Sequence, residues 1–145
     1  MMRITEMRAE HVSQIAELEK LCFSDPWSEG SIAYELTNPI SHWVVAQDGE
    51  QVVGYIGAQI VFPEADVMNV VVHPDRRREG LGQVLLETLL TYLRSIDCTS
   101  LSLEVRVSNE IAIALYEKMG FVQVGRRPNY YRSPKEDALI LQKVL

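Results

Sequence analysis

The 145-residue sequence predicts one α/β domain with a mixed sheet and helices packed against it. Three observations carry this. Short β-like runs alternate with amphipathic stretches of helical period, a strand-helix-strand unit occupies the middle of the chain, and no repeat, low-complexity tract or Pro/Gly/Ser linker divides it.

Met2 to Thr5 reads as a first strand. From Ala9 to Leu21, Val12, Ile15, Leu18 and Leu21 recur at threes between Glu10, Gln14, Glu17 and Lys20, the pattern of an amphipathic helix. Phe23-Ser24-Asp25-Pro26-Trp27-Ser28 breaks it, because Pro26 disfavours a helical Asp25 while suiting the first turn of a second helix, about Ser28 to Leu36, that stops at Asn38-Pro39. His42 to Gln47 and Val52 to Val61 are strand-like, and Asp48-Gly49-Glu50 supplies the positive φ of a tight hairpin. Val67 to Val72, bounded by Pro63 and His73-Pro74, reads as a buried strand.

Leu81, Leu85, Leu89 and Leu93 then repeat at fours in the longest helix. From Ser100 to Val107 the period changes to two, with Leu101, Leu103, Val105 and Val107 on one face and Ser102, Glu104 and Arg106 on the other. Ser108-Asn109-Glu110 caps a further helix with Ile111, Leu115 and Met119 on one stripe, ending at Gly120. Phe121 to Val124 and Ala138 to Val144 read as terminal strands.

Composition narrows the function. The apolar share of 47% is that of a packed protein, and 14 Lys and Arg against 20 Asp and Glu give a net charge of −6. That balance argues against a general nucleic-acid or anionic-membrane surface and favours a cationic partner. Cys22 and Cys98 form no CxxC, and His11, His42 and His73 lack metal-ligand spacing, so neither a structural zinc nor a disulfide is expected. The termini carry no signal-peptide pattern and no run approaches a membrane span, which predicts a cytoplasmic chain.

Arg76-Arg77-Arg78-Glu79-Gly80-Leu81-Gly82 stands between the buried strand and the N-terminus of the longest helix. Glycines allow close backbone approach, the first-turn amides lack intrahelical partners, and the helix dipole adds positive potential, so phosphate is the natural occupant. A solvated basic turn whose glycines only relieve sterics is the other reading. A dinucleotide-binding fingerprint fits less well: Leu85 takes the third glycine's place, eight residues separate the strand end from Gly80, and Glu104 lies within its strand.

Val70-Val71-Val72-His73-Pro74, Arg77-x-x-Gly80-x-Gly82, Asn109 and Ala114-Leu115-Tyr116-Glu117-Lys118-Met119-Gly120-Phe121 together resemble the GCN5-related N-acetyltransferase (GNAT) superfamily. Cys22 to Ser28, Ser102 to Arg106 and Arg126-x-x-x-Tyr130-Tyr131 resemble its RimI-type protein N-terminal acetyltransferases in particular. The resemblance spans the chain. It implies a single GNAT-type domain with a mixed, mostly antiparallel central sheet flanked by helices, and acetyl-CoA as co-substrate. Backbone groups of Val70, Val71 and Val72 would pair with the pantetheine. Arg78, Glu79, Gly80, Leu81, Gly82 and Gln83 would cradle the pyrophosphate, with the Glu79 side chain turned away, and Asn109 matches a cofactor-contacting asparagine.

The resemblance also implies Glu104 as general base and Tyr116 as general acid. An α-amine with a pKa near 8 must lose a proton before attacking a thioester, and a tyrosine of ordinary pKa near 10 carries one to offer the departing thiolate. By spacing alone, a strand glutamate reads equally as an ion-paired surface residue and a helix tyrosine as core. Phe23, Asp25, Pro26 and Trp27 with Tyr130 and Tyr131 correspond to two loops flanking the peptide; a hydrophobic plug is the competing reading. The implied acceptor is a protein N-terminus, the basic tail of the eighteenth small-subunit ribosomal protein, on a monomeric enzyme. Another amine, such as a lysine, polyamine or aminoglycoside, and a CoA-binding module without transfer remain open.

Overall fold

A computed structural model describes residues 1–145. Its strands are β1 (Met2–Glu6), β2 (Ser41–Asp48), β3 (Gln51–Val61), β4 (Glu64–Val72), β5 (Ser100–Arg106), β6 (Val122–Arg132) and β7 (Lys135–Val144). They form one sheet in the order β1-β2-β3-β4-β5-β7-β6, antiparallel throughout except for β4 and β5. The helices are α1 (Val12–Cys22), α2 (Glu29–Glu35), α3 (Leu81–Ser95) and α4 (Glu110–Lys118). No helix is long and apolar enough to cross a membrane.

The sheet separates two apolar clusters. On one face Leu85, Leu86, Leu89, Leu90 and Leu93 of α3 pack with Tyr116 and Phe121 against inward residues of the strands. On the other, Ile15 and Leu18 of α1 and Ile32 of α2 cover Trp43, Val45, Tyr55 and Val71. Burying each such large side chain contributes about 1.5–3 kcal/mol before conformational entropy is counted. Gly57 is part of this packing, because a Cβ there would lie 2.3 Å from the Trp43 ring.

Most predicted elements recur, with four differences. Pro26 precedes the N-cap Ser28, whose hydroxyl accepts from Ser31 N–H, so Pro26 is outside α2. The buried strand begins at Glu64, three residues before Val67, because the β3–β4 hairpin keeps pairing to its tip at Val61 and Glu64. In α4 the predicted stripe is rotated: Ile111 is 87% exposed and Tyr116 is the buried residue, pulled in by Phe121. Finally, β6 runs to Arg132, so Tyr130 and Tyr131 lie in a strand beside the Ser133-Pro134 turn, where a loop is predicted.

Candidate active site

β4 and β5 pair only at Glu64–Ser100, Ala65–Leu101 and Asp66–Ser102, then splay apart. A bulge in β4 between its partners Gly57 and Ala58 adds to the divergence, since Asn69 pairs with Gly57 and Val67 with Ala58, leaving Met68 as the extra residue. The gap is a cavity of about 300 Å³ lined by Phe23, Val70, Glu104, Asn109, Tyr116, Tyr130 and Tyr131 among others. Residues predicted from distant parts of the chain thus meet in one place.

A second bulge explains why two consecutive tyrosines face this cavity. Arg127 pairs with Ala138 and Tyr131 with Glu136, so three β6 residues oppose the single β7 residue Asp137. Asp137 holds the bulge by accepting from Asn129 N–H at 2.8 Å and from Arg126 Nε at 2.8 Å, contacts that keep its carboxyl below the usual range. Asn129 takes a φ of +54°. The bulge re-aims Tyr130 and Tyr131, whose rings meet edge-on at 5.0 Å. Arg106 sits 4.3 Å over the Tyr131 ring and is fixed by Glu136 at 3.2 Å.

Glu104 is 31% exposed, and its Oε2 lies 3.3 Å from Arg127 Nε. That contact is an ion pair, and Glu104 Oε2 is sealed from solvent beneath it. The Arg127 guanidinium thus compensates the charge of this oxygen, and the carboxylate stands at the cavity wall beside Tyr130. Tyr130 is pushed up by burial, then by the Glu104 carboxylate. Across the cavity, Tyr116 is 8% exposed, burial pushes it up to about 12, and its hydroxyl makes no hydrogen bond within the chain.

The predicted phosphate loop has the geometry of an anion cradle. Arg78 and Gly80 take φ values of +72° and +78°, flanking Glu79. None of the backbone amides from Arg78 to Gln83 finds an acceptor in the protein. They stand at the N-terminus of the 15-residue α3, where the dipole favours negative charge. The pyrophosphate of an acetyl-CoA fits this loop chemically. The three arginines, however, are not equivalent: Arg76 binds Glu79 at 3.0 Å and Asp48 at 3.0 Å, and Arg77 donates to the Val72 carbonyl at 3.2 Å. Arg78 alone makes no such contact. The Glu79 side chain is thus engaged by Arg76.

The valines also differ. His73 N–H donates to the Val53 carbonyl, and antiparallel alternation therefore directs the Val71 backbone to Tyr55 on β3 while Val70 and Val72 face the open β5 side. There Val70 N–H meets the Asn69 side chain at 3.1 Å and the Val72 carbonyl meets Arg77. The Val70 carbonyl and Val72 N–H are the unpaired groups of this edge. Asn109 caps α4, its Oδ1 accepting from Ala112 N–H at 3.1 Å, and the residue lines the cavity.

Of the α1–α2 connection, Phe23 reaches the cavity. Asp25 is exposed, and Pro26 is half-buried beside it. Trp27 packs edge-on against Trp43 at 5.4 Å, the plug arrangement. Ser24 Oγ donates to the Ser133 carbonyl at 3.1 Å, so this connection touches the β6–β7 turn over the cavity. Three participants were not foreseen. Arg127 lies beyond the predicted end of β6, and Glu19 and Asn69, which join the α1–α2 connection to β4, carry no sequence signal apart from a carboxylate and an amide at inward positions of apolar elements.

Residues 12–121 match the acetyltransferase (GNAT) family. The ribosomal protein bS18-alanine N-acetyltransferase of Escherichia coli K12 is 36% identical over 140 residues, covering 95% of this chain and 94% of that protein. The N-alpha-acetyltransferase RimI of Mycobacterium tuberculosis is 37% identical over 134 residues, covering 88% and 83%. The crystal structure of the E. coli alanine N-acetyltransferase superposes with a TM-score of 0.92 at 33% identity, over 99% of this chain and 94% of that one. Arabidopsis thaliana NAA60 in complex with acetyl-CoA shares the fold with a TM-score of 0.90 at 16% identity, over 100% and 99%.

Proposed function

The chain belongs to the acetyltransferase (GNAT) family, and we propose that all 145 residues act as one transferase domain that acetylates the α-amine of a protein N-terminus, the N-terminal alanine of ribosomal protein bS18. The observation that carries the reading is that the Glu104 carboxylate and the unbonded Tyr116 hydroxyl line one cavity between the splayed β4 and β5. Acetyl-CoA, when bound, supplies an acetyl thioester. The amides from Arg78 to Gln83 hold its pyrophosphate, the Val70 carbonyl and Val72 N–H hold its pantetheine, and Asn109 Nδ2 donates to it.

The Glu104 carboxylate accepts the proton that an N-terminal ammonium must lose before its nitrogen can attack. Phe23, Tyr130 and Tyr131 wall off the amine from water. Tyr116 keeps its proton at neutral pH and donates it toward the sulfur as the carbon–sulfur bond breaks. Complete transfer from a phenol near 12 to a thiolate of ordinary pKa about 8.5 is uphill, so hydrogen-bond donation carries much of the stabilisation. The attack is direct: neither Cys22 nor Cys98 lines the cavity. A net charge of −6 suits a basic ribosomal-protein tail, met in the cytoplasm.

Intact-mass analysis of peptides incubated with enzyme and acetyl-CoA tests this. An alanine-starting basic peptide gains one acetyl group, and the same peptide with a blocked N-terminus and free lysines gains none. Acetylation of the blocked peptide alone overturns the assignment.

A further inference from the structure

Glu19 is 1% exposed on the inner face of α1, among Ile15, Ala16 and Leu18. Burying a carboxylate there costs several kcal/mol unless donors surround it, and no lysine or arginine pairs with it. Its Oε1 accepts from Trp27 N–H at 2.9 Å, and its Oε2 accepts from the Tyr55 hydroxyl and from Asn69 Nδ2 at 2.5 Å. Asn69 Oδ1 in turn accepts from Val70 N–H at 3.1 Å.

These bonds run in one line from the connection that carries Phe23 into the cavity, through Glu19, to the open edge of β4. We propose that Glu19 is a positioning residue that sets the acceptor-side connection at a fixed distance from the edge along which the acetyl donor lies. The inference rests on the function proposed above. Three donors converge on two oxygens, a demand that only a carboxylate meets. A glutamine sets its NH2 against Trp27 N–H, or forces the Asn69 amide to turn and face Val70 N–H with a second donor. Either way one end of the line is released while the apolar packing of α1 is kept.

The test uses the full chain as wild type, Glu19→Gln and Asn69→Ser. Loss of one charge-assisted bond predicts a peptide KM raised about tenfold in Glu19→Gln, with acetyl-CoA Kd by calorimetry within about twofold of wild type. Hydrogen-deuterium exchange of residues 23–28 accelerates in the same variant. Asn69→Ser, which cuts the line at its far end, raises peptide KM without speeding exchange at Trp27, and it decides the matter alone should Glu19→Gln fail to fold. Unchanged peptide KM in the folded variants overturns the proposal. So does a peptide KM that rises only in step with acetyl-CoA Kd and a falling Tm, the signature of a merely structural role. If wild type acetylates no N-terminal peptide, the functional reading fails, and unaltered exchange at Trp27 in Glu19→Gln then overturns the anchoring separately.

Discussion

Arg76 holds the Glu79 carboxylate through Nε, 3.2 Å from Oε1 and 3.0 Å from Oε2. The pair belongs to the loop proposed to hold the pyrophosphate. The arginine neutralises an acid whose backbone lies in the proposed anion cradle, while its own guanidinium is taken up by Glu79 and Asp48.

Arg76→Ala is therefore expected to weaken acetyl-CoA binding by exposing the Glu79 charge. A roughly threefold rise in Kd is expected, the scale of a solvent-exposed charge interaction. The double variant Arg76→Ala/Glu79→Gln returns close to wild type. Calorimetry at low and high salt checks both, and the single-variant defect shrinks as salt rises. A defect that persists in the double variant contradicts the pairing argument.

Glu104→Gln keeps the shape of the cavity and removes the proton acceptor. A kcat loss of about 10²- to 10³-fold with little change in acetyl-CoA Kd is expected. Steady-state kinetics with an alanine-starting peptide measure it, and activity within twofold of wild type excludes Glu104 from proton removal.

Tyr116→Phe gives a different pattern. The hydroxyl makes no bond within the protein, so its loss leaves Tm nearly unchanged while kcat falls about tenfold or more. With the phenol pushed up to about 12, Tyr116 stays protonated through the alkaline range, and no alkaline fall in kcat near the ordinary tyrosine pKa of about 10 arises from it. A Tm drop with kcat preserved assigns Tyr116 to the core alone.

Strong periodicity made α1, α3, β5 and the β2–β3 hairpin legible in the sequence, and the motif pointed to Glu104 and Tyr116, which line one cavity. What escaped has a common physical cause. Tyr130 and Tyr131 share a cavity only because a bulge cancels the strand's period of two, and the bulge depends on Asp137 across the hairpin. The unequal roles of Arg76, Arg77 and Arg78 follow from partners at Asp48 and Val72, which no local pattern reveals. Tertiary pairing set each of these.

Gly57 illustrates the same point for packing. Nothing local marks it as more than a strand glycine, yet the Trp43 ring lies where its Cβ would be. Gly57→Ala must displace that ring and the stacked Tyr55 beneath it, at a cost of about 1–3 kcal/mol. Chemical denaturation checks this. Gly82→Ala, with its nearest neighbour at 3.8 Å, leaves stability within about 0.5 kcal/mol apart from the helix-propensity gain.

Glu19 makes stability depend on pH in the reverse of the usual carboxylate sense. Burial raises it from 4.5 to about 7, with the Trp27 N–H bond pulling it back. Between those values the folded chain binds more protons than the unfolded one, so this group's contribution is fully present below pH 4.5 and is lost as pH rises toward 7. The shift corresponds to about 3 kcal/mol across that window. The titratable groups around it are the Tyr55 hydroxyl on β3 and Cys22 one turn along α1, whose thiol feels both Glu19 and Arg77. Urea unfolding from pH 5 to pH 8 therefore shows wild type losing stability relative to Glu19→Gln as pH rises. Parallel curves for the two proteins contradict the buried titration. As pH rises through about 7 the ionised form, which costs stability, is also the form whose two oxygens accept from all three donors and hold the connection to β4: stability is reduced where the geometry of the site is held.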